Sequence, residues 1–212
     1  MMRHARRSGG AARLSAACLA TLLALSACGA GESAPKFLAA DVSGVEWGKD
    51  FHLFDAAGAP RSIADYRGKV VMLYFGYTSC PDACPATLAK MAKAVDRLGT
   101  DGRRVQGLFV TLDPARDTRP LLRQYVRAFH PAFVDLSADV STTASTAKEF
   151  KVFFEVQKPD SRGFYTVDHS SGIFVFDARG RLRVFMGPNI WIDAMVHDLT
   201  LLLQDSQGSD RT

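Results

Sequence analysis

The segment Gly68-Lys-Val-Val-Met-Leu-Tyr-Phe-Gly-Tyr-Thr-Ser-Cys80-Pro-Asp-Ala-Cys84-Pro-Ala-Thr-Leu88 joins an unbroken apolar run to two cysteines four residues apart. Val70 to Phe75 has no polar alternation, which is the pattern of a central strand covered on both faces. Beyond the cysteines, Leu88, Met91, Ala92 and Val95 recur at helical spacing, and Leu98-Gly99 marks the end of that helix. The thiol pair therefore stands where a buried strand passes into a helix. The positive end of the helix dipole there is expected to favour thiolate. If both cysteines lay on the helix, their Cβ atoms would be roughly 5–6 Å apart. A relaxed disulfide wants about 3.8 Å, so the spacing suits a shared metal ion somewhat better than a bridge, without forbidding the bridge.

Outward from this segment the chain alternates. A small hairpin is expected from Phe51–Phe54 and Arg61–Ile63, a second strand from Val105 to Leu112, and a helix whose apolar face is Leu121, Leu122, Tyr125, Val126 and Phe129. Phe133–Leu136 reads as a short strand, Ser141–Phe150 as a helix, and residues 151–157 as extended chain. Ile173–Phe176, the turn Asp177-Ala-Arg-Gly180 and Leu182–Met186 form a hairpin, and Ile190–Leu203 a final helix. This order predicts an α/β fold: a mixed sheet with helices on both faces, an N-terminal β-hairpin extension and a C-terminal antiparallel hairpin.

The chain has 212 residues and a formal charge of +4, with 26 Lys and Arg against 22 Asp and Glu. Four of the basic residues are Arg3, Arg6, Arg7 and Arg13, followed by an apolar stretch from Leu14 to Ala27. A basic start and a short apolar core have the form of a secretory signal peptide, and no run is long enough to span a bilayer as a helix. Leu25-Ser26-Ala27-Cys28 resembles a bacterial lipobox, in which the cysteine is lipidated and becomes the new N-terminus. Without residues 1–27, basic and acidic residues stand at 22 each, so the charge balance offers nothing to nucleic acid. The expected organisation is a signal peptide at 1–27, a lipidated N-terminus and tether at 28–44, one domain at 45–206 and a tail at 207–212.

Four cysteines thus reduce to two, Cys80 and Cys84, because Cys18 leaves with the signal and Cys28 carries lipid. A third metal donor has four candidates, His52, His130, His169 and His197. His169, in Val167-Asp-His-Ser-Ser-Gly172, precedes a core strand and is the leading choice, with Asp168 its neighbour. Two thiolates and an imidazole are a soft set suited to Cu(I); Cu(II) would need an added donor, and zinc with a water is the competing metal. Met72, Met91, Met186 and Met195 fall within core patterns, Asp113 and Asp117 are read equally as loop and cap residues or as charges that steer a partner or the metal, and Arg116 and Arg119 are read as solvated.

Four separated motifs, Gly68–Leu88, Asp113-Pro-Ala-Arg-Asp-Thr118, Tyr125-Val-Arg-Ala-Phe-His130 and Val167-Asp-His-Ser-Ser171, together resemble the Sco/SenC copper proteins. The resemblance runs from about Phe51 to the last helix. It implies a thioredoxin-like fold and copper held by Cys80, Cys84 and His169. It also implies a role in assembling the copper centre of cytochrome c oxidase. The partners would be the copper-bearing oxidase subunit and a periplasmic copper donor, met at the outer face of the cytoplasmic membrane through the lipid on Cys28. The other reading of the same thiols is a thiol–disulfide oxidoreductase that reduces the oxidase's metal-binding cysteines and has no need of His169. A thiol peroxidase fits less well: Leu73 and Tyr77 stand where that class resembles Pro and Thr or Ser before its reactive cysteine.

Overall fold

A computed structural model describes residues 36–208; the expected signal peptide at 1–27, Cys28, the tether up to residue 35 and residues 209–212 of the expected tail lie outside the described residues. Among the described residues there are ten strands: β1 (Ala40–Asp41), β2 (Leu53–Asp55), β3 (Pro60–Arg61), β4 (Val70–Gly76), β5 (Val105–Thr111), β6 (Val134–Ser137), β7 (Phe154–Val156), β8 (Val167–His169), β9 (Ile173–Phe176) and β10 (Leu182–Met186). Four α-helices accompany them: α1 (Ala83–Arg97), α2 (Arg119–Phe129), α3 (Val140–Glu149) and α4 (Ile192–Gly208). Eight strands make one mixed sheet in the order β1-β10-β9-β4-β5-β6-β2-β3, while β7 and β8 pair separately.

The apolar run occupies the centre of that sheet. All seven residues of β4 are buried, with β5 parallel on one side and β9 antiparallel on the other. Successive side chains of a strand face opposite ways. Tyr74 and Gly76 meet Cys84 of α1, whereas Phe75 packs on Phe150 at the end of α3, their rings 5.3 Å apart. Helices therefore cover both faces, as the unbroken hydrophobic pattern requires, and the fold is thioredoxin-like. Met72, Met91, Met186 and Met195 are all fully buried core residues.

The β9–β10 hairpin turns where its composition places it. Gly180 takes φ +78 and donates its N–H to the Asp177 carbonyl at 2.9 Å. The Asp177 carboxylate accepts from the Arg179 and Arg181 amides and pairs with the Arg181 and Arg183 guanidinium groups.

Three short elements depart from the sequence expectation. Residues 40–41, within the tether expected at 28–44, form edge strand β1 against Phe185 and Val184 of β10. Just before it, the amides of Leu38 and Ala39 donate to the buried Asp198 carboxylate of α4 at 2.8 and 2.9 Å. A carboxylate 160 positions away leaves no local signal. Residues 167–169, read from sequence only as preceding a core strand, form a strand of their own, β8, and Ile63 opens a 3-10 turn to Tyr66 rather than extending its hairpin strand. Among the described residues no helix is long and apolar enough to cross a membrane.

Candidate metal centre

The thiol loop leaves the carboxyl end of β4, where strands of a layered α/β sheet commonly present their ligands. Cys80 lies before α1, which begins at Ala83, so the two cysteines do not share a helix face as the spacing argument assumed. Instead Cys80 sits half-buried in the loop, and its sulfur accepts the Cys84 amide at 3.4 Å. That amide is among those a helix leaves without an internal partner in its first turn. Cys84 is one turn deeper and completely buried. Both are free thiols.

Burial overturns the expected thiolate character at Cys84. Desolvation, abetted by nearby Cys80 and resisted by hydrogen bonds from the Tyr77 backbone and the Tyr74 side chain, pushes its pKa up to about 12. A thiol in apolar surroundings keeps its proton at neutral pH, and here that effect outweighs the helix dipole. Gly76 makes this depth possible. A Cβ at that position would lie 2.8 Å from the Cys84 sulfur and 2.9 Å from the Phe109 ring.

His169 ends β8, and its Nε2 lies 3.5 Å from Cys84 Sγ. Its Nδ1 is 2.9 Å from the Ser170 carbonyl. A carbonyl only accepts, so the ring proton belongs on Nδ1 and the lone pair of Nε2 faces the sulfur. Burial lowers the His169 pKa, against the Ser170 hydrogen bond and the Asp168 charge, so the imidazole is neutral and able to ligate. Tyr74 and Tyr77 stand edge-on to the ring at 6.4 and 6.1 Å. Bonds of about 2.3 Å to sulfur and 2.0–2.1 Å to nitrogen, opened by roughly 110–120°, hold two such donors about 3.6–3.8 Å apart. Cys84 and His169 are close to that separation.

The third donor is adjacent but turned aside. Cys80 and His169 line the same open cleft of about 460 Å³, together with Tyr77, Asp168 and Ser171. Among the described residues, however, no three His, Cys, Asp or Glu side chains already converge as a metal cluster. The Cys80 sulfur would have to leave the Cys84 amide to complete the set. The other histidines are elsewhere: His52 is exposed, His130 lies 3.8 Å from Asp96, and His197 contacts Asp198. Asp168 faces outward and accepts from Gln157 at 3.0 Å.

Two buried carboxylates hold this arrangement together, and the sequence reading missed how. Asp117 accepts from the Thr78 amide and hydroxyl at 3.1 and 2.5 Å and from the Thr111 hydroxyl at 2.6 Å, tying the thiol loop to β5. Asp113 pairs with Arg116 and accepts the Tyr165 hydroxyl at 3.0 Å. Arg116, expected to be solvated, instead lies 3.4 Å from the centre of the Tyr165 ring and donates to the Tyr165 carbonyl at 2.8 Å. This clasp fastens the β7–β8 hairpin, which carries His169, to the loop after β5. The clue was the polar spacing within Asp113-Pro-Ala-Arg-Asp-Thr118, whose partners Thr78 and Tyr165 lie 39 to 52 positions away. Arg119 is exposed, as read.

A thioredoxin-like fold with a thiol pair and an imidazole at the carboxyl end of its central strand defines a class of thiol and metal proteins. Within that class, residues 40–204 match the SCO1/SenC family model, and the chain belongs to that family. An SCO2-like protein of Rickettsia felis is 37% identical over 138 residues, covering 65% of this chain and 67% of its own. The mitochondrial SCO2 homologue of Mus musculus is 36% identical over 140 residues, covering 65% of this chain and 55% of its own. The chain thus spans only about half the length of that mitochondrial relative. The crystal structure of Arabidopsis thaliana ScoI with copper bound superposes with a TM-score of 0.69 at 29% identity, covering 74% of this chain and 97% of that one.

Proposed function

We propose that this protein binds copper through the Cys80 and Cys84 thiolates and His169 Nε2, and carries it outside the cytoplasm to the copper-bearing subunit of cytochrome c oxidase. The observation that carries the reading is the 3.5 Å approach of Cys84 Sγ to a His169 nitrogen whose lone pair faces the sulfur. Soft sulfur donors with one imidazole suit Cu(I), and a related ScoI is known with copper bound. Copper is cargo here: it arrives from a donor protein and leaves by ligand exchange. The exposed side of the site, Cys80 and the cleft beside it, is the side a partner's ligands would reach. Lipidation at Cys28 after removal of residues 1–27 would hold the domain at the outer face of the cytoplasmic membrane, each buried lipid methylene adding ~0.8 kcal/mol.

Titration of Cu(I) and Zn²⁺ into the reduced domain tests the ligand set. Tight Cu(I) binding that is lost in a Cys80→Ser, Cys84→Ser double variant and weakened in His169→Ala supports it. Full retention by the double variant refutes it. Mass spectrometry of the exported protein's N-terminus should show an acylated Cys28, and any other start refutes the anchor.

A second reading rests on the half-exposed Cys80 sulfur in the loop before α1, a position from which it can attack a partner's disulfide. It predicts that His169→Ala leaves oxidase assembly in cells intact while Cys84→Ser abolishes it.

A further inference from the structure

Tyr74 places a hydroxyl in the middle of the hydrophobic core. It is fully buried in a strand whose other side chains are hydrocarbon, thioether or the hydrogen of glycine. Phenylalanine would fill the same space without a polar group to satisfy, and a buried hydroxyl without a partner is unfavourable. The partner here is the Cys84 sulfur, to which the Tyr74 hydroxyl donates at 3.6 Å, a normal reach for so large an acceptor. The Ser171 hydroxyl lies near the phenolic oxygen and can donate to it, while the Thr87 hydroxyl donates its own proton to the Ala83 carbonyl at 2.8 Å. The Tyr74 ring also stands edge-on to His169 at 6.4 Å. One side chain therefore touches both inner members of the proposed donor set.

We infer that Tyr74 is a positioning residue that donates a hydrogen bond to the Cys84 thiolate and so biases the site toward Cu(I) over Cu(II). The inference rests on the reading of Cys84 as a copper ligand. A thiol sulfur is a weak acceptor and a charged thiolate a much stronger one, so the bond strengthens when metal displaces the Cys84 proton. Donation into the sulfur draws electron density away from it. Cu(II), with an incomplete d shell, depends more on that density than Cu(I), so the hydrogen bond weakens the oxidised complex more. Hydrogen bonding around a copper-bound cysteine sulfur is a recognised lever on copper's redox preference.

Tyr74→Phe keeps the ring and removes only the hydroxyl. Wild type and variant are titrated separately with Cu(I) and Cu(II) ions, and the thiolate-to-Cu(II) charge-transfer absorption is recorded. The expected result is a Cu(II)-to-Cu(I) affinity ratio about tenfold higher in the variant, equal to ~59 mV for one electron. The absorption band should move to longer wavelength, because the sulfur donor orbital rises when its hydrogen bond is lost. Tyr125→Phe removes another buried tyrosine hydroxyl, one without a hydrogen-bond partner among the described residues, and should change neither. A fluorinated tyrosine at position 74, a stronger donor, should move ratio and band the opposite way, and it serves as the test should Tyr74→Phe misfold.

An unchanged ratio and band in folded Tyr74→Phe, with Cys84→Ser still losing copper, overturns this role and leaves the ligand set standing. Undiminished copper binding by Cys84→Ser overturns both.

Discussion

Cys84 Sγ and His169 Nε2 meet at 3.5 Å although 85 positions separate them in the chain. One arrives on the first turn of a helix and the other at the end of a two-stranded ribbon outside the main sheet. In the metal-free protein the contact is a hydrogen bond from a thiol to a neutral imidazole. Metal must then displace a proton held by burial. In reduced, metal-free protein at neutral pH, Cys84 should alkylate at least ~100-fold more slowly than a cysteine in an unfolded peptide. Its pKa of about 12 and its inaccessibility both act that way. Mass spectrometry of a labelling time course would read this directly, and equal labelling would contradict the buried thiol.

The Arg116 clasp supplies a second prediction. Arg116→Ala leaves Asp113, 3% exposed, without its cation and frees the hairpin that carries His169. The guanidinium is itself partly exposed, so a stability loss of about 1–3 kcal/mol is expected, less than for a fully buried pair. Cu(I) affinity should fall roughly tenfold as His169 loses its fixed position. Arg116→Lys should fail to rescue, since an ammonium cannot both stack on Tyr165 and bond Asp113 and the Tyr165 carbonyl. Chemical denaturation and competitive copper titration measure the two effects.

Asp177 in the β9–β10 turn gives a pH dependence. Its burial alone would raise the carboxyl pKa, but hydrogen bonds from Arg181 and Arg183 and the Arg181 charge outweigh it, and the pKa falls below the ordinary carboxylate value. The unfolded chain then binds more protons in acid, so this contribution is present above about pH 4 and is lost as pH falls through the lower folded pKa. Asp177→Asn should cost about 2 kcal/mol at neutral pH. The difference from wild type should shrink as both are taken to low pH in denaturant titrations. A constant difference across that range would contradict the assignment.

Much of the fold was legible because its signals are local. The run Val70–Phe75 carries no alternation, and a strand covered on both faces is what remains possible. Leu88, Met91, Ala92 and Val95 repeat at helical spacing, and the helix is there. Elements of two or three residues, β1 and β8, are too short for any period to show. At the site, residue chemistry singled out two thiols and one histidine, and the structure brings Cys84 and His169 into contact and Cys80 into the same cleft. What stayed hidden depends on depth and on distant partners. Helix dipole and desolvation push a thiol in opposite directions, and only the full burial of Cys84 decides between them. Arg116 looks like any surface arginine until Tyr165, 49 positions on, folds over it.

The central claim, two sulfurs and one nitrogen on copper, is tested most directly by X-ray absorption of the Cu(I)-loaded protein. The account predicts a shell of two sulfur atoms at about 2.3 Å and one nitrogen at about 2.0 Å. It further predicts that Cys84→Ser removes one sulfur and His169→Ala removes the nitrogen. A shell without sulfur, or one identical in wild type and both variants, would contradict it.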